Sequence, residues 1–309
     1  TPIRGPAGPV TTDDARQDAR TEAADSIGQY VDPDTMSARA TELQVLGKKL
    51  DNVVVGVSVQ KGVWQANIDS NQASGYVTWH NSGGGLGKVT ARLSQLVVPE
   101  SSAADVTDLL EGKNEATSIP ALDVIAENFE LFNKKLGHLE VVADNARTGG
   151  AREWRFSRLQ LTNPDVELKA SGKWITRDAA SRDTVNNTQM GYALVVNDAG
   201  KMLERFGFAN VLKGGKGKVE GDLTWKGMPF ALDIPSLAGN VNMNITAGQF
   251  LKVDPGAAKL LGVLSLQALP RLLKLDFHDV FSEGFAFDYV TAQAVISKGV
   301  INTENLKMR

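Results

Sequence analysis

Hydrophobic and polar residues alternate along most of the chain after residue 36, and the run NVNMNIT at residues 240–246 is the clearest example. There Val241, Met243 and Ile245 point to one side, while the asparagines between them point to the other. The same period of two appears in the segments KVEGDLTWK, DVELKASGKW and PFALDI. Many segments of this kind predict a mainly β protein, built on an antiparallel sheet with one apolar and one solvated face.

The apolar side chains of these four segments form the predicted apolar surface of the sheet. They are Val166, Leu168, Val219, Leu223, Phe230, Leu232, Val241, Met243 and Ile245. Alternation alone leaves three arrangements open for such a surface: a closed barrel, two packed sheets, or an open trough that helices partly cover. The pattern therefore predicts which side chains share a face, and it leaves open what covers them.

One helical insertion interrupts the strand pattern near residues 255–275. Asp254 and Pro255 are typical of a helix start, and apolar residues then cover most of the circumference. The positions predicted to face the sheet are Leu260, Leu261, Leu264 and Leu269. Charged residues and Pro270 disfavour a membrane span, which leaves a plug, a gate or an amphipathic membrane contact. Shorter helical patterns appear near residues 104–112, 122–128 and 199–206.

An internal repeat indicates that the sheet is built from similar units. LQVLGKKLDNVVVGV, which starts at Leu43, aligns with FELFNKKLGHLEVVA, which starts at Phe129, and a tryptophan-bearing strand follows each. A Gly at an equivalent place in later strands (Gly75, Gly172, Gly221) predicts a bend or a close approach of backbones. We expect repeat-like units over about 36–121, 122–197 and 198–309, after a flexible lead-in over 1–35. The five tryptophans are expected on strands, packing in the core or the trough.

Composition and charge narrow the function classes. The 309 residues carry a net charge of −3 without a basic block, which argues against nucleic acid as a partner. Cysteine is absent, so thiol catalysis and cysteine metal sites are excluded. The glycine-rich run 82–89 departs from a phosphate-binding loop, and His80, His138 and His278 lack a catalytic or metal-binding context. We therefore expect no enzyme activity, no metal and no cofactor.

The block GQFLKVDPGAAKLLGVLSLQALPRLLKLDFHDVFSEGFAFD, at residues 248–288, resembles the C-terminal region of the YhdP-type AsmA-like proteins of the Gram-negative envelope. Residues 152–174 and 197–241 are similar to the same family, and the resemblance is good from about Leu122 onward. It implies a long curved sheet, folded like a taco around a hydrophobic groove, in the periplasmic part of a protein that is anchored in the inner membrane. We expect any anchor to lie outside this chain.

The resemblance also implies a function: non-enzymatic transport of glycerophospholipids between the inner and outer membranes, with acyl chains carried along the groove. The full-length protein would supply the contacts with both membranes, and protein partners are not indicated. The alternative is a periplasmic scaffold for outer-membrane biogenesis, whose apolar face is filled by its own side chains. A groove open at both ends would favour transport, and a dry packed core would favour the scaffold.

Overall fold

The computed structural model describes residues 35–45, 48–81, 87–99, 119–148, 151–176, 186–230, 232–251, 284–303 and 305–309. Most of these residues belong to one large, curved, open sheet of 15 strands. This confirms the mainly β fold that the alternation predicts and the curved sheet that the family resemblance implies. The strands are β1 (Thr35–Val45), β2 (Lys48–Gln60), β3 (Val63–Asp69), β4 (Ala73–His80), β5 (Lys88–Val98), β6 (Ala121–Leu131), β7 (Lys134–Thr148), β8 (Ala151–Thr162), β9 (Val166–Thr176), β10 (Asn186–Val196), β11 (Leu212–Lys226), β12 (Ala238–Phe250), β13 (Phe285–Ser297), β14 (Val300–Thr303) and β15 (Lys307–Met308).

The strands lie side by side in the order in which they occur in the chain, from β1 to β14. The short strand β15 also pairs with β13, at Val290 and Thr291, which come before the stretch of β13 that pairs with β14. Each strand therefore packs beside its neighbour in sequence, which is the arrangement that short hairpin connections produce. Among the described strands the first and the last are not paired with each other, so the sheet is open.

One pair of neighbours departs from the predicted antiparallel arrangement. Strands β5 and β6 run parallel, in register from Lys88 opposite Ala121 to Val98 opposite Leu131. A two-residue turn cannot join parallel strands, because the chain has to return to the starting end of the sheet. The connection between Val98 and Ala121 is accordingly long, and it lies at the end of the first predicted repeat unit.

Three tight hairpins lie wholly within the described residues. Their two-residue turns are Lys61-Gly62, Phe132-Asn133 and the pair at residues 298–299, and φ is positive at both positions of each turn. Turns with two positive φ values match the right-handed twist of the flanking strands, whereas ordinary type I turns would splay them. The repeat noted in the sequence corresponds to this geometry, since its KK dipeptides open β2 and β7.

The described helix, α1 (Ala199–Arg205), confirms the helical pattern predicted at 199–206. Asp198 caps it by accepting a hydrogen bond from the backbone N–H of Lys201. The helical prediction at 122–128 is wrong, because these residues lie within β6. A shift of register there, between Ala126 and Phe129, breaks the period of two and imitates a helical spacing. The helical predictions at 104–112 and 255–275 lie outside the described residues.

Candidate functional site

One face of the sheet carries a continuous apolar surface, called the apolar face below. Residues directly opposite each other on paired strands point to the same side, so the strand register traces rows of side chains across the sheet. The first row, from β1 to β13, is Ala38, Val55, Ile68, Gly75, Leu93, Ala126, Leu139, Leu161, Leu168, Leu194, Val219, Met243 and Ala292. No charged residue interrupts this row.

Two further rows run beside the first. The second row is Met36, Val57, Ala66, Val77, Ala91, Val124, Val141, Leu159, Ala170, Tyr192, Gly221, Val241 and Ala294. The third row is Val59, Trp64, Trp79, Val89, Leu122, Ala143, Phe156, Gly172, Met190, Leu223, Gly239, Ile296 and Ile301. From strand spacing and rise, the three rows cover about 57 Å along the sheet and about 13 Å across it.

The structure brings most of the predicted groove residues together on this face. Leu168, Val219 and Met243 share the first row, Val241 lies in the second, and Leu223 lies in the third. The two remaining strand residues, Val166 and Ile245, lie in the neighbouring row, on the other side of the first row from the second. In that row Val196 and Gly217 lie between them. The alternation therefore assigns these side chains to one face, as expected. Their contact with a ligand stays a prediction.

Phe230 and Leu232 are placed differently, because β11 ends at Lys226 and the predicted strand PFALDI does not form. Gly227 has a φ of 99° and Pro229 lacks an N–H, so the chain leaves the sheet here and continues to the 3₁₀ turn Ile234–Ser236. Phe230 is 60% exposed, although its ring meets that of Trp154 edge-on at 5.7 Å. Leu260, Leu261, Leu264 and Leu269 lie outside the described residues.

The apolar face is not equally accessible along its length. In the middle of the sheet Ala126 and Ala143 have no accessible surface. Towards the C-terminal strands, the first-row residues Leu194, Val219 and Met243 are only half-buried. The N-terminal end is more open still, where Trp64 is 45% exposed. The face therefore has two accessible stretches, separated by a buried stretch near β5–β8.

Helix α1 borders the apolar face on one side. Ala199 packs with Val166, Val196 and Ile245 in a buried cluster that also contains Phe287 and Val290. An ion pair fixes the helix, because Arg205 binds the carboxylate of Asp165, whose side chain is only 6% exposed. Arg205 also donates a hydrogen bond of 2.8 Å to the carbonyl of Lys135. This border is thus held by an ion pair between a buried carboxylate and a half-buried guanidinium.

Tryptophans border the apolar face on the opposite side. Trp154, Trp174 and Trp225 lie in one register with Thr188, immediately beyond the third row. Their indole N–H groups donate to the carbonyl of Pro120, the side chain of Asn186 and the carbonyl of Met228, at 3.0, 2.6 and 3.0 Å respectively. Trp64 and Trp79 pair in the adjacent third row. All five tryptophans therefore lie on strands along one border, which we call the tryptophan border.

Comparisons with known proteins identify the family of the chain. The family model described as "YhdP protein" matches residues 12–309, nearly the whole chain. The chain belongs to the YhdP family. A curated relative, the "Intermembrane phospholipid transporter YhdP" of Escherichia coli (strain K12), is 31% identical over 153 residues. The match covers 48% of this chain and 12% of the relative, so the chain spans a small part of that protein's length. No solved structure matches the chain.

The opposite, polar face of this YhdP-family sheet carries ion pairs. His138 lies between Glu127 and Glu140, 3.0 and 3.2 Å from their carboxylate oxygens, and Arg158 binds Glu140 at 3.1 Å. The hydrogen bond to Glu127 is the main cause that raises the pKa of His138, against a smaller lowering by burial. Lys169 and Glu167 form another pair at 2.6 Å. This face is therefore suited to water.

Neither metal chemistry nor a membrane-spanning helix is found in the part of the chain that the structure describes. No group of three or more His, Cys, Asp or Glu side chains there has the arrangement of a metal site. None of the helices there combines the length and hydrophobicity that crossing a bilayer requires.

Sequence reasoning missed much of the apolar face in this YhdP-family chain. The rows extend through β1–β8, where Val55, Ile68 and Leu161 continue them. Pairing the alternating segment 53–59 with its neighbours would have found part of this extension. Tyr192 was also missed, because the segment GYALVV carries apolar residues on both faces and Val195 points outward, 41% exposed.

Proposed function

We propose that the chain forms one segment of a path for phospholipids between the inner and outer membranes, in the periplasm. The apolar face acts as the groove, the acyl chains lie on its three rows, and no chemical step is catalysed. The observation that carries the proposal is the continuity of these rows from β2 to β13. The longer protein would supply the anchor and the contacts at both membranes.

Elementary energetics fit this role. Each methylene that leaves water for an apolar surface contributes about 0.8 kcal/mol, so a lipid with part of its tails on the face is retained. Apolar contacts have no preferred direction, and the rows present similar side chains at each strand. A chain can therefore move from strand to strand without meeting a deep energy minimum. Because the rows cross the strands, the path follows the long dimension of the sheet.

A scaffold with a self-filled core is the second candidate, and one observation favours it. Ala126 and Ala143 are fully buried, and Leu93, Leu139 and Val141 are nearly so. In this stretch the sheet offers a lipid little surface. The half-buried side chains of β9–β13 favour transport instead, so the two candidates differ in whether those residues hold lipid.

The test is native mass spectrometry of the chain purified from bacterial membranes without harsh detergent, followed by lipid extraction. Met243 and Asn242 are neighbours on β12 that point to opposite faces, which makes Met243→Asp and Asn242→Asp a matched pair. We expect bound phospholipid in the wild-type chain, a loss of at least about tenfold in Met243→Asp because a carboxylate on the apolar face opposes acyl chains, and retention in Asn242→Asp. Val241→Asp should behave like Met243→Asp.

Two results would count against the proposal. A wild-type chain that is folded and free of lipid would favour the scaffold. Equal lipid content in the Met243→Asp and Asn242→Asp proteins would show that the apolar face is not where the lipid lies. Circular dichroism of each variant checks that the sheet is retained.

A further inference from the structure

One hydroxyl lies within the three apolar rows. Among their described residues from β1 to β13, Tyr192 is the member that carries an oxygen in its side chain. Its place on the apolar face follows from the register, which sets it opposite Ala170 on β9 and Gly221 on β11. Its neighbours on the same side of β10 are Met190 and Leu194, both of which pack in apolar clusters.

The surroundings leave this hydroxyl available. The partners across both neighbouring strands are an alanine and a glycine, so no large side chain stands directly beside the ring in its own row. The side chain is half-buried, and the described part of the chain gives its hydroxyl no hydrogen-bond partner. Burial first, and then the carboxylate of Asp222, raise the pKa of Tyr192 above its ordinary 10, so the group is protonated at neutral pH and can donate.

A hydroxyl at this position is unfavourable for a purely hydrocarbon ligand. When an alkyl chain covers an unpaired hydroxyl, the hydrogen bonds it made to water are lost without replacement. The free energy of a lipid on the rows is therefore lowest where one of its own acceptors meets Tyr192. In a glycerophospholipid the ester carbonyls lie next to the tails, whereas the charged phosphate would lose more hydration on an apolar surface.

We propose that Tyr192 is a positioning residue for the cargo: its hydroxyl donates a hydrogen bond to an ester carbonyl of a two-chain glycerophospholipid whose tails lie on the apolar rows. The contact defines a resting position on an otherwise uniform path. This inference rests on the proposed function, and it adds that the chain distinguishes ester-linked from ether-linked lipids at β10.

The test compares two lipids and two variants. Vesicles of phosphatidylcholine carry a trace of radiolabelled dipalmitoyl phosphatidylethanolamine or of its dihexadecyl ether analogue, and the label that the 309-residue chain extracts is counted after the vesicles are sedimented. Tyr192→Phe removes only the oxygen. Tyr76→Phe is the matched control, because Tyr76 lies on the polar face opposite Asn67 and Arg92.

We expect Tyr192→Phe to reduce extraction of the diester lipid about threefold to tenfold, the effect of one net hydrogen bond, and to leave the ether lipid unchanged. Tyr76→Phe should change neither. If Tyr192→Phe lowers both lipids equally, or neither, the hydrogen bond is refuted while the proposed function stands. If the wild-type chain extracts neither lipid from the vesicles, the proposed function fails and the inference fails with it.

Discussion

A close approach of strands at Gly172 gives a sharp test of the sheet geometry. A Cβ atom added at Gly172 would lie 2.1 Å from the carbonyl oxygen of Gln189 and 2.6 Å from the ring of Phe156. Neither neighbour moves easily, because the first is backbone of the adjacent strand and the second is a ring that is 4% exposed. A Cβ added at Gly56 would meet nothing within 4 Å. We therefore compare Gly172→Ala with Gly56→Ala.

The expected difference in the free energy of unfolding is obtained by cancelling the effect that the two substitutions share. Both remove the same backbone freedom from the unfolded chain, worth about 0.4–1 kcal/mol in favour of folding. That contribution cancels in the comparison and leaves the steric cost at Gly172. To relieve the clash, β9 and β10 have to separate by about 1 Å, which costs the 1–3 kcal/mol typical of overpacking. We expect Gly172→Ala to be less stable than Gly56→Ala by about 1–3 kcal/mol.

Urea unfolding followed by tryptophan fluorescence measures this difference. Trp174 lies two residues from Gly172 and is buried, so the signal reports on the affected strand. With a slope of about 3 kcal/mol/M, a 2 kcal/mol difference separates the two midpoints by about 0.7 M. Coincident midpoints would refute the close approach of β9 to β10. The double variant with Phe156→Leu should recover only part of the loss, because the carbonyl of Gln189 remains.

Two further predictions concern charged groups. Arg205→Ala should destabilise the chain by about 3 kcal/mol, because it leaves the buried carboxylate of Asp165 unpaired. Lys169→Ala, which breaks the pair with Glu167, should change the free energy of unfolding by less than about 1 kcal/mol. Similar melting temperatures of the two variants would contradict this contrast. Because the pKa of His138 is raised in the folded state, its contribution to stability is complete below the unfolded value of about 6.5 and is lost as the pH rises through the folded value. Urea titrations from pH 6 to pH 8 should therefore show a decline in stability that is smaller in His138→Gln, and identical declines would remove His138 as the cause.

The alternation predicted the faces of β9, β11 and β12 correctly because these strands are regular over the residues used. In the run from Asn240 to Thr246 each residue opposes one residue on both neighbours, so the period of two continues without interruption. Where the register shifts, as between Ala126 and Phe129, the period is lost and the same local composition resembles a helix. In the segment after Gly227 the period is present, but the chain has already left the sheet.

The parallel pairing of β5 and β6 could not be predicted from the sequence, because the choice of neighbour depends on contacts between segments far apart in the chain. Residues 99–120 carry no signal that specifies where the chain re-enters the sheet. The accessibility of the apolar rows could not be predicted from the sequence either. It depends on how strongly the sheet curves, whereas alternation reports only the side to which a residue points.

The parallel pair also determines how the predicted repeat units would be oriented. In a series of strands joined only by hairpins, the fifth strand runs in the same direction as the first. A sixth strand joined by another hairpin would run in the opposite direction, so the next unit would begin inverted. Because β6 instead runs in the same direction as β5, strands β6–β8 have the same directions as strands β1–β3, with which the sequence repeat aligns them. Trp154 therefore lies on the same long margin as Trp64. A sheet extended in this way can grow by duplication without exchanging its two margins, and a molecule travelling along it would never have to turn over.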